Sequence, residues 1–245
     1  MISSKQNTLI KEIRSLKDKK FRDKLGVFVL EGVKPVREGV DFNLPIREII
    51  LTEKHFSEFS NCGYKVEVVS EEVFDSISEE KTPQGVLAVV YKAENKLISP
   101  KGSCLLLDGV ADPNNVGAII RTAVASGYKD IYLTSNCADA YSQKSVRCSM
   151  SGVFRANVMR AEIDQILSVI NLPIVVADMD GQNVFDLSLD KACCLVIGSE
   201  GNGVSDFVKN KADLTVKIPM ENGMESLNAS VSAGILMFAL KRKNG

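Results

Sequence analysis

The chain has 245 residues, of which 45% are hydrophobic and 25% charged. That is ordinary globular composition, enough for one large domain or two modest ones. With 30 basic against 31 acidic residues the net charge is −1, so any nucleic-acid contact must come from a local basic patch, not from global charge.

The opening stretch, "MISSKQNTLIKEIRS", is polar and lacks the apolar centre of a secretory signal. No run of eighteen apolar residues occurs, so no membrane span is expected and the cytoplasm is the expected location. The charged stretch "SKQNTLIKEIRSLKDKKFRDKLG" is expected to be helical. After it come a strand at "VFVLEG", a short helix at "VKPVREGV", a strand at "IREIILT", a helix at "SEEVFDSIS" and a strand at "GVLAVVYK". Short strands alternating with short helices describe a small α/β domain over residues 1–92. The polar segment 93–101, "AENKLISPK", is the expected linker to a second α/β domain over 102–245.

In that second half "CLLLDGV", "DIYLT", "PIVVADM", "CCLVIG" and "LTVKI" are expected strands. "NVGAIIRTAVASG", "SQKSVRCSM" and "SLNASVSAGILMFALKRK" are expected helices. The wholly apolar strands imply a sheet with both faces covered. The six cysteines show no C-x-x-C spacing. Three of them, Cys104, Cys193 and Cys194, lie in apolar runs and are read as small buried hydrophobes. The single histidine, His55, leaves no His-based metal site to expect, and no metal is expected at all.

The most distinctive stretch is "IGSEGNGVS" at 197–205. A Walker A loop needs a Lys after its second glycine, and a dinucleotide fingerprint needs G-x-G-x-x-G; Gly198, Gly201 and Gly203 give G-x-x-G-x-G. Both phosphate fingerprints fail, which also weighs against a nucleotide hydrolase. Glycine still lets a backbone approach a ligand closely or turn with positive φ. Two further loops follow strand ends in the same way. One is "LDGVADPNNVGAIIRTA", in which Asn114, Gly117 and Arg121 share a helical face. The other is "IPMENGMESLNASVSAGI", in which Ser226 is a candidate helix cap and the small residues after it imply close packing. Each alone is as well explained by ordinary turns and core helices; all three in one domain point to a built site.

"NNVGAIIRTA", "LVIGSEGNGVS", "IPMENGMESLNASVSAGI" and, more weakly, "SVRCSMSGVF" resemble the motifs of the SpoU family of RNA ribose 2′-O-methyltransferases, within the SPOUT superfamily. "FVLEGVKPVREGV" is similar to that family's ribosomal-protein-like substrate-binding domain. The resemblance implies an α/β fold with a deep trefoil knot in the C-terminal domain, a homodimer through that domain, and S-adenosylmethionine as methyl donor. It assigns the donor to Gly198, Gly203, Ile218, Met220 and Leu227, and catalysis to Asn115, Arg121, Glu200, Ser226 and Asn228. A guanidinium ordinarily stays protonated, which leaves two readings of Arg121: base assisted by an RNA phosphate in a shielded site, or, the favoured one, holder of the phosphate and stabiliser of a developing alkoxide; Glu200 could orient its neighbours or take the proton. The basic cluster at 14–24 offers Lys17, Lys19, Lys20 and Arg22 to RNA phosphates, with Arg147 extending the surface, although a solvated helix face would look the same. Ribosomal RNA is the expected substrate, transfer RNA the alternative, and a non-catalytic RNA-binding adaptor the reading from another class.

Overall fold

The computed structural model describes residues 1–187, 189, 191–221 and 226–241. It forms two compact units, Met1–Glu94 with Tyr141–Ser151, and Asn95–Ala140 with Gly152–Gly245.

In the first unit the charged opening is two helices, α1 (Thr8–Ser15) and α2 (Lys19–Leu25), where the sequence pattern gave one. The break follows from local chemistry. Asp18 accepts from the Lys20 amide at 2.9 Å and so caps a new helix, which Gly26 ends at φ +64°. Strand β1 (Val27–Glu31), helix α3 (Val33–Asp41), β2 (Ile46–Thr52), α4 (Phe56–Phe59), β3 (Val66–Val69), α5 (Glu71–Ile77) and β4 (Val86–Tyr91) follow. The sheet order is β1-β4-β2-β3, with β2 and β3 parallel and the other pairs antiparallel.

Arg22 does not stand on the basic surface expected of it. It is 3% exposed, and its Nη1 donates to the Leu16 and Lys17 carbonyls at 2.7 and 2.8 Å. Those carbonyls end α1, so the guanidinium closes a helix terminus instead of meeting RNA. Arg22→Ala is expected to cost about 2–3 kcal/mol, lowering the unfolding midpoint by about 5–10 °C. Lys20→Ala, at an exposed position, should leave it unchanged; thermal unfolding of both variants is the check.

The second unit runs β5 (Cys104–Asp108), α6 (Pro113–Ser126) and β6 (Asp130–Thr134). The chain then joins the first unit through α7 (Gln143–Ser149), which packs on β1; there Tyr141 meets Phe28 with ring centroids 5.2 Å apart, and Arg147 pairs with Glu80. It returns as β7 (Asn157–Ala161), α8 (Ile163–Val169), β8 (Ile174–Asn183), β9 (Cys194–Gly198), α9 (Asp206–Lys209), β10 (Leu214–Lys217) and α10 (Ala229–Lys241). All strands pair in parallel, in the order β10-β8-β9-β5-β6-β7. Leu105, Leu107, Leu195 and Ile197 join the core under α6 and α10, while Cys104, Leu106, Cys194 and Val196 face the other core with Ile166 of α8 and Val208 of α9. Two covered faces explain why these strands are apolar without alternation. The three cysteines read as core are buried, and burial pushes the Cys193 thiol up to about 11.

Candidate active site

The site is set by register. Along β5 and β9, Cys104 lies opposite Cys194 and Asp108 opposite Gly198, so the two strands end at one level. The loop into α6 and the glycine loop therefore leave the sheet side by side. The strand order also reverses here: β6 and β7 continue on one side of β5, while β9 and β8 lie on the other. Open parallel sheets place their ligand crevices at such switch points, beyond the carboxyl ends of the strands. A cleft of about 510 Å³ opens there, lined chiefly by Asp108, Gly109, Asn136, Glu200, Gly201 and Gly203.

Asp112 caps α6 by accepting from the Asn114 amide at 2.9 Å, with Pro113 in the first turn. This places Asn115 one residue further on, 7% exposed, under the glycine loop. Asn115 Nδ2 donates to Glu200 Oε1 at 2.6 Å, and Asn228 Nδ2 donates to Asn115 Oδ1 at 3.0 Å. Asn228 Oδ1 in turn accepts from the Ser230 amide and hydroxyl at 2.9 and 2.6 Å. Three expected catalytic residues, 85 and 113 positions apart along the chain, thus form one directed chain of hydrogen bonds ending on a carboxylate. The helix α10 begins at Ala229, so Asn228 takes the capping position that the sequence pattern suggested for Ser226, and its Oδ1 satisfies the free Ser230 amide.

The glycine loop closes on itself. The amides and carbonyls of Ser199 and Gly203 exchange two bonds of 3.0 Å, and the Ser205 amide donates to Asp108 Oδ2 at 2.8 Å. Gly198 lies beneath this closure: a Cβ there would fall 2.0 Å from the Gly203 carbonyl carbon. Its smallness is therefore required by the loop itself. Gly203 has φ +65° and lines the cleft.

Arg121 is exposed on α6 and makes no hydrogen bond or ion pair among the described residues. Its backbone packs on Gly152, whose added Cβ would come 3.1 Å from the Arg121 Cα. Gly117, which shares a helical face with Arg121, is buried, and Gly152 admits the Arg121 backbone. Arg121, Ser226, Ile218, Met220 and Leu227 lie outside the lining of the cleft. Ile218 packs against the core, Ser226 is exposed, and the loop residues 222–225 fall outside the described residues. Asp108 and Asn136 were not singled out from the sequence. Asp108 at least was legible as the polar end of an apolar strand; Asn136 carried no such signal.

A family model for the SpoU rRNA methylase family matches residues 102–238. The chain belongs to the SpoU rRNA methylase family. A second model, for the MRM3-like substrate-binding domain, matches residues 7–88. Among SpoU relatives, the chain is 31% identical to the 23S rRNA (guanosine(2553)-2′-O)-methyltransferase of Bacillus subtilis (strain 168), with 98% of each chain covered. An AdoMet-bound rRNA methyltransferase from Sinorhizobium meliloti superposes with a TM-score of 0.89 at 28% identity, covering 98% of this chain and 97% of that one. A crystallised RNA 2′-O ribose methyltransferase gives a TM-score of 0.83 at 27% identity over 99% and 98% of the chains. Among the described residues no helix is long and apolar enough to cross a membrane, and no acidic, cysteine or histidine group could hold a metal.

Proposed function

We propose that this SpoU protein transfers a methyl group from S-adenosylmethionine to a ribose 2′-hydroxyl of ribosomal RNA. The observation that carries the reading is the hydrogen-bonded chain Asn228–Asn115–Glu200, whose last member lines the cleft. The cleft suits the donor. Its volume lies within the usual range for such ligands, about 300–1,000 Å³. Asp108 and Glu200 complement a sulfonium, and Gly201 leaves open space where a side chain would stand. Gly198 and Gly203 would hold the donor on the glycine loop, with Ile218, Met220 and Leu227 as apolar walls for its adenine; of these five, only Gly203 borders the cleft itself. When bound, the donor supplies an electrophilic methyl group.

The chain's own residues then have distinct tasks. Asn115 fixes one Glu200 oxygen, and the other has no partner among the described residues. That oxygen accepts the proton of the ribose hydroxyl. Arg121 keeps its charge, holds an RNA phosphate in its fork and stabilises the developing alkoxide. Ser226 and Asn228 position the ribose from the start of α10. The 1–92 domain, joined by the 93–101 linker to the 102–245 methyltransferase domain, presents Lys17, Lys19 and Lys20 to the RNA, and Arg147 of α7 extends that surface. Lys19 is engaged with Asp23 at 2.6 Å and Arg147 with Glu80, both exposed pairs that a phosphate can displace.

The reading includes the C-terminal knot and a homodimer in the cytoplasm. Support for the dimer is the stripe Val231, Ile235 and Phe238 on α10, with Val231 49% and Phe238 50% exposed. An unpartnered apolar stripe is unusual on a monomer. Phe238→Asp should convert a dimer to a monomer in sedimentation experiments; an unchanged dimer would place the interface elsewhere.

Total RNA incubated with the protein and labelled donor, followed by mapping of the modified ribose, tests the function. The expected product is one 2′-O-methylated nucleotide in ribosomal RNA. Label in transfer RNA alone overturns the substrate, and no donor binding by calorimetry supports an adaptor.

A further inference from the structure

We infer that the first unit holds a base-reading contact for the substrate: a small cavity between β1 and α7 that takes the edge of one unstacked RNA base carrying an exocyclic amine. This contact deepens the ribosomal RNA reading above and rests on it.

The cavity belongs wholly to the unit formed by Met1–Glu94 and Tyr141–Ser151. Its volume is about 70 Å³. One water needs roughly 10–15 Å³, so there is room for the edge of a single ring but not for a whole nucleotide. Val29, Pro35 and Val146 give it apolar walls, and Glu31, Gln143 and Arg147 supply polar groups. Small-ligand sites are built in this way, mostly apolar with a few placed polar atoms.

Gln143 is the decisive residue. It is 8% exposed and lines the cavity, yet its Oε1 is buried without a hydrogen bond, the only side-chain polar atom so placed among the described residues. Protein interiors rarely leave such an atom unsatisfied, because the loss of water is then uncompensated. Ser142 caps α7 by accepting from the Ser145 amide at 3.2 Å, which fixes the turn that carries Gln143.

Glu31, at the end of β1, is a second acceptor. The Ser78 hydroxyl donates to its Oε1, whereas Oε2 receives only a long bond, 3.4 Å, from the Glu79 amide. Burial holds this carboxyl above its ordinary range, and a further N–H donor would offset that loss of water. Two acceptors in one apolar cavity call for a flat partner with N–H donors. An unstacked base brings its amine there on its Watson–Crick edge. Arg147 pairs with Glu80 beside the cavity, and its side chain is 49% exposed, so a phosphate can take over the guanidinium and hold the nucleotide whose base enters. Met150 borders the same cavity at φ +54°, a backbone conformation that side chains rarely adopt, and is 44% exposed. Strain of this kind collects at ligand clamps, and an exposed methionine offers a base an adaptable apolar face.

The test measures binding of the full chain to two labelled RNA octamers by fluorescence anisotropy at low salt. One is uridine throughout; the other has a single central cytidine, a base of the same shape with an amine in place of a carbonyl oxygen. The wild-type protein should bind the cytidine probe about threefold to tenfold more tightly, the discrimination one hydrogen bond supplies. Gln143→Leu should bind both probes equally, at the affinity of the uridine probe. Its unfolding midpoint should hold or rise, because leucine removes an acceptor that had no partner. Arg147→Ala should weaken both probes alike and reduce the salt dependence by about one charge, leaving the cytidine preference in place. Equal binding of the two probes by the wild-type protein, a preference for uridine, or a cytidine preference that survives in Gln143→Leu overturns the assignment alone. No binding of either probe also overturns it, and if ribosomal RNA is not bound either, the substrate reading falls with it.

Discussion

Arg121→Ala is expected to lower kcat for ribose methylation by about a hundredfold to a thousandfold, the loss typical of removing one donor that stabilises the developing charge. Donor affinity and the unfolding midpoint should stay as they are. The side chain is exposed, has no partner among the described residues and lies outside the cleft lining, so its removal leaves neither a cavity nor an orphaned carboxylate. What packs at this position is the backbone, against Gly152, and alanine preserves that contact. Arg121→Lys separates charge from shape: an ammonium keeps the attraction for phosphate but loses the planar fork, so it should recover only part of the rate. Single-turnover methylation with labelled donor, beside calorimetry for donor binding, makes the distinction. Full activity in Arg121→Ala would remove this residue from the mechanism, and loss of donor binding would reassign it to the cleft.

The apolar runs that end at Asp108 and Gly198 were legible because strands buried on both faces need no polar alternation. Their adjacency was not, since parallel register is fixed by pairing across ninety residues and leaves no local signal. The edge strands β3 and β7 escaped notice for the opposite reason. Each borders only one other strand of its sheet and carries charge, Glu67 in one and Arg160 in the other; beyond β3 only Ile2 adds an isolated bridge, to Val69. Helix α7 was recognised by its pattern, yet the pattern of Val146 and its neighbours says only that one face is buried, not which core receives it. Arg22 shows the same limit for charge. A basic residue in a basic run reads as solvated, and only the arrival of the Leu16 and Lys17 carbonyls accounts for its burial. The candidate catalytic polar residues were named from motif resemblance; the link from Asn228 through Asn115 to Glu200 required the tertiary fold.

Gly198→Ala is expected to abolish donor binding and to destabilise the protein by about 3 kcal/mol, near the upper end for forcing a methyl into a packed site. The new Cβ would stand 2.0 Å from the Gly203 carbonyl carbon and 2.2 Å from the Val204 nitrogen, both backbone atoms that no rotamer change can move aside. Relief requires opening the paired bonds between Ser199 and Gly203 or releasing Ser205 from Asp108. Either movement carries Glu200 away from Asn115, so methylation should fall together with binding. Gly201→Ala supplies the contrast. A Cβ at 201 meets nothing within 4 Å, so the loop should close as before and the unfolding midpoint should hold. If the donor lies against the loop backbone, the added methyl at 201 weakens its binding without unfolding anything. The two alanines thus separate the two uses of glycine in this loop, folding back on itself at 198 and admitting a ligand at 201. Calorimetry and thermal unfolding on the pair would show it, and a Gly198→Ala protein with wild-type stability would overturn the closure described here.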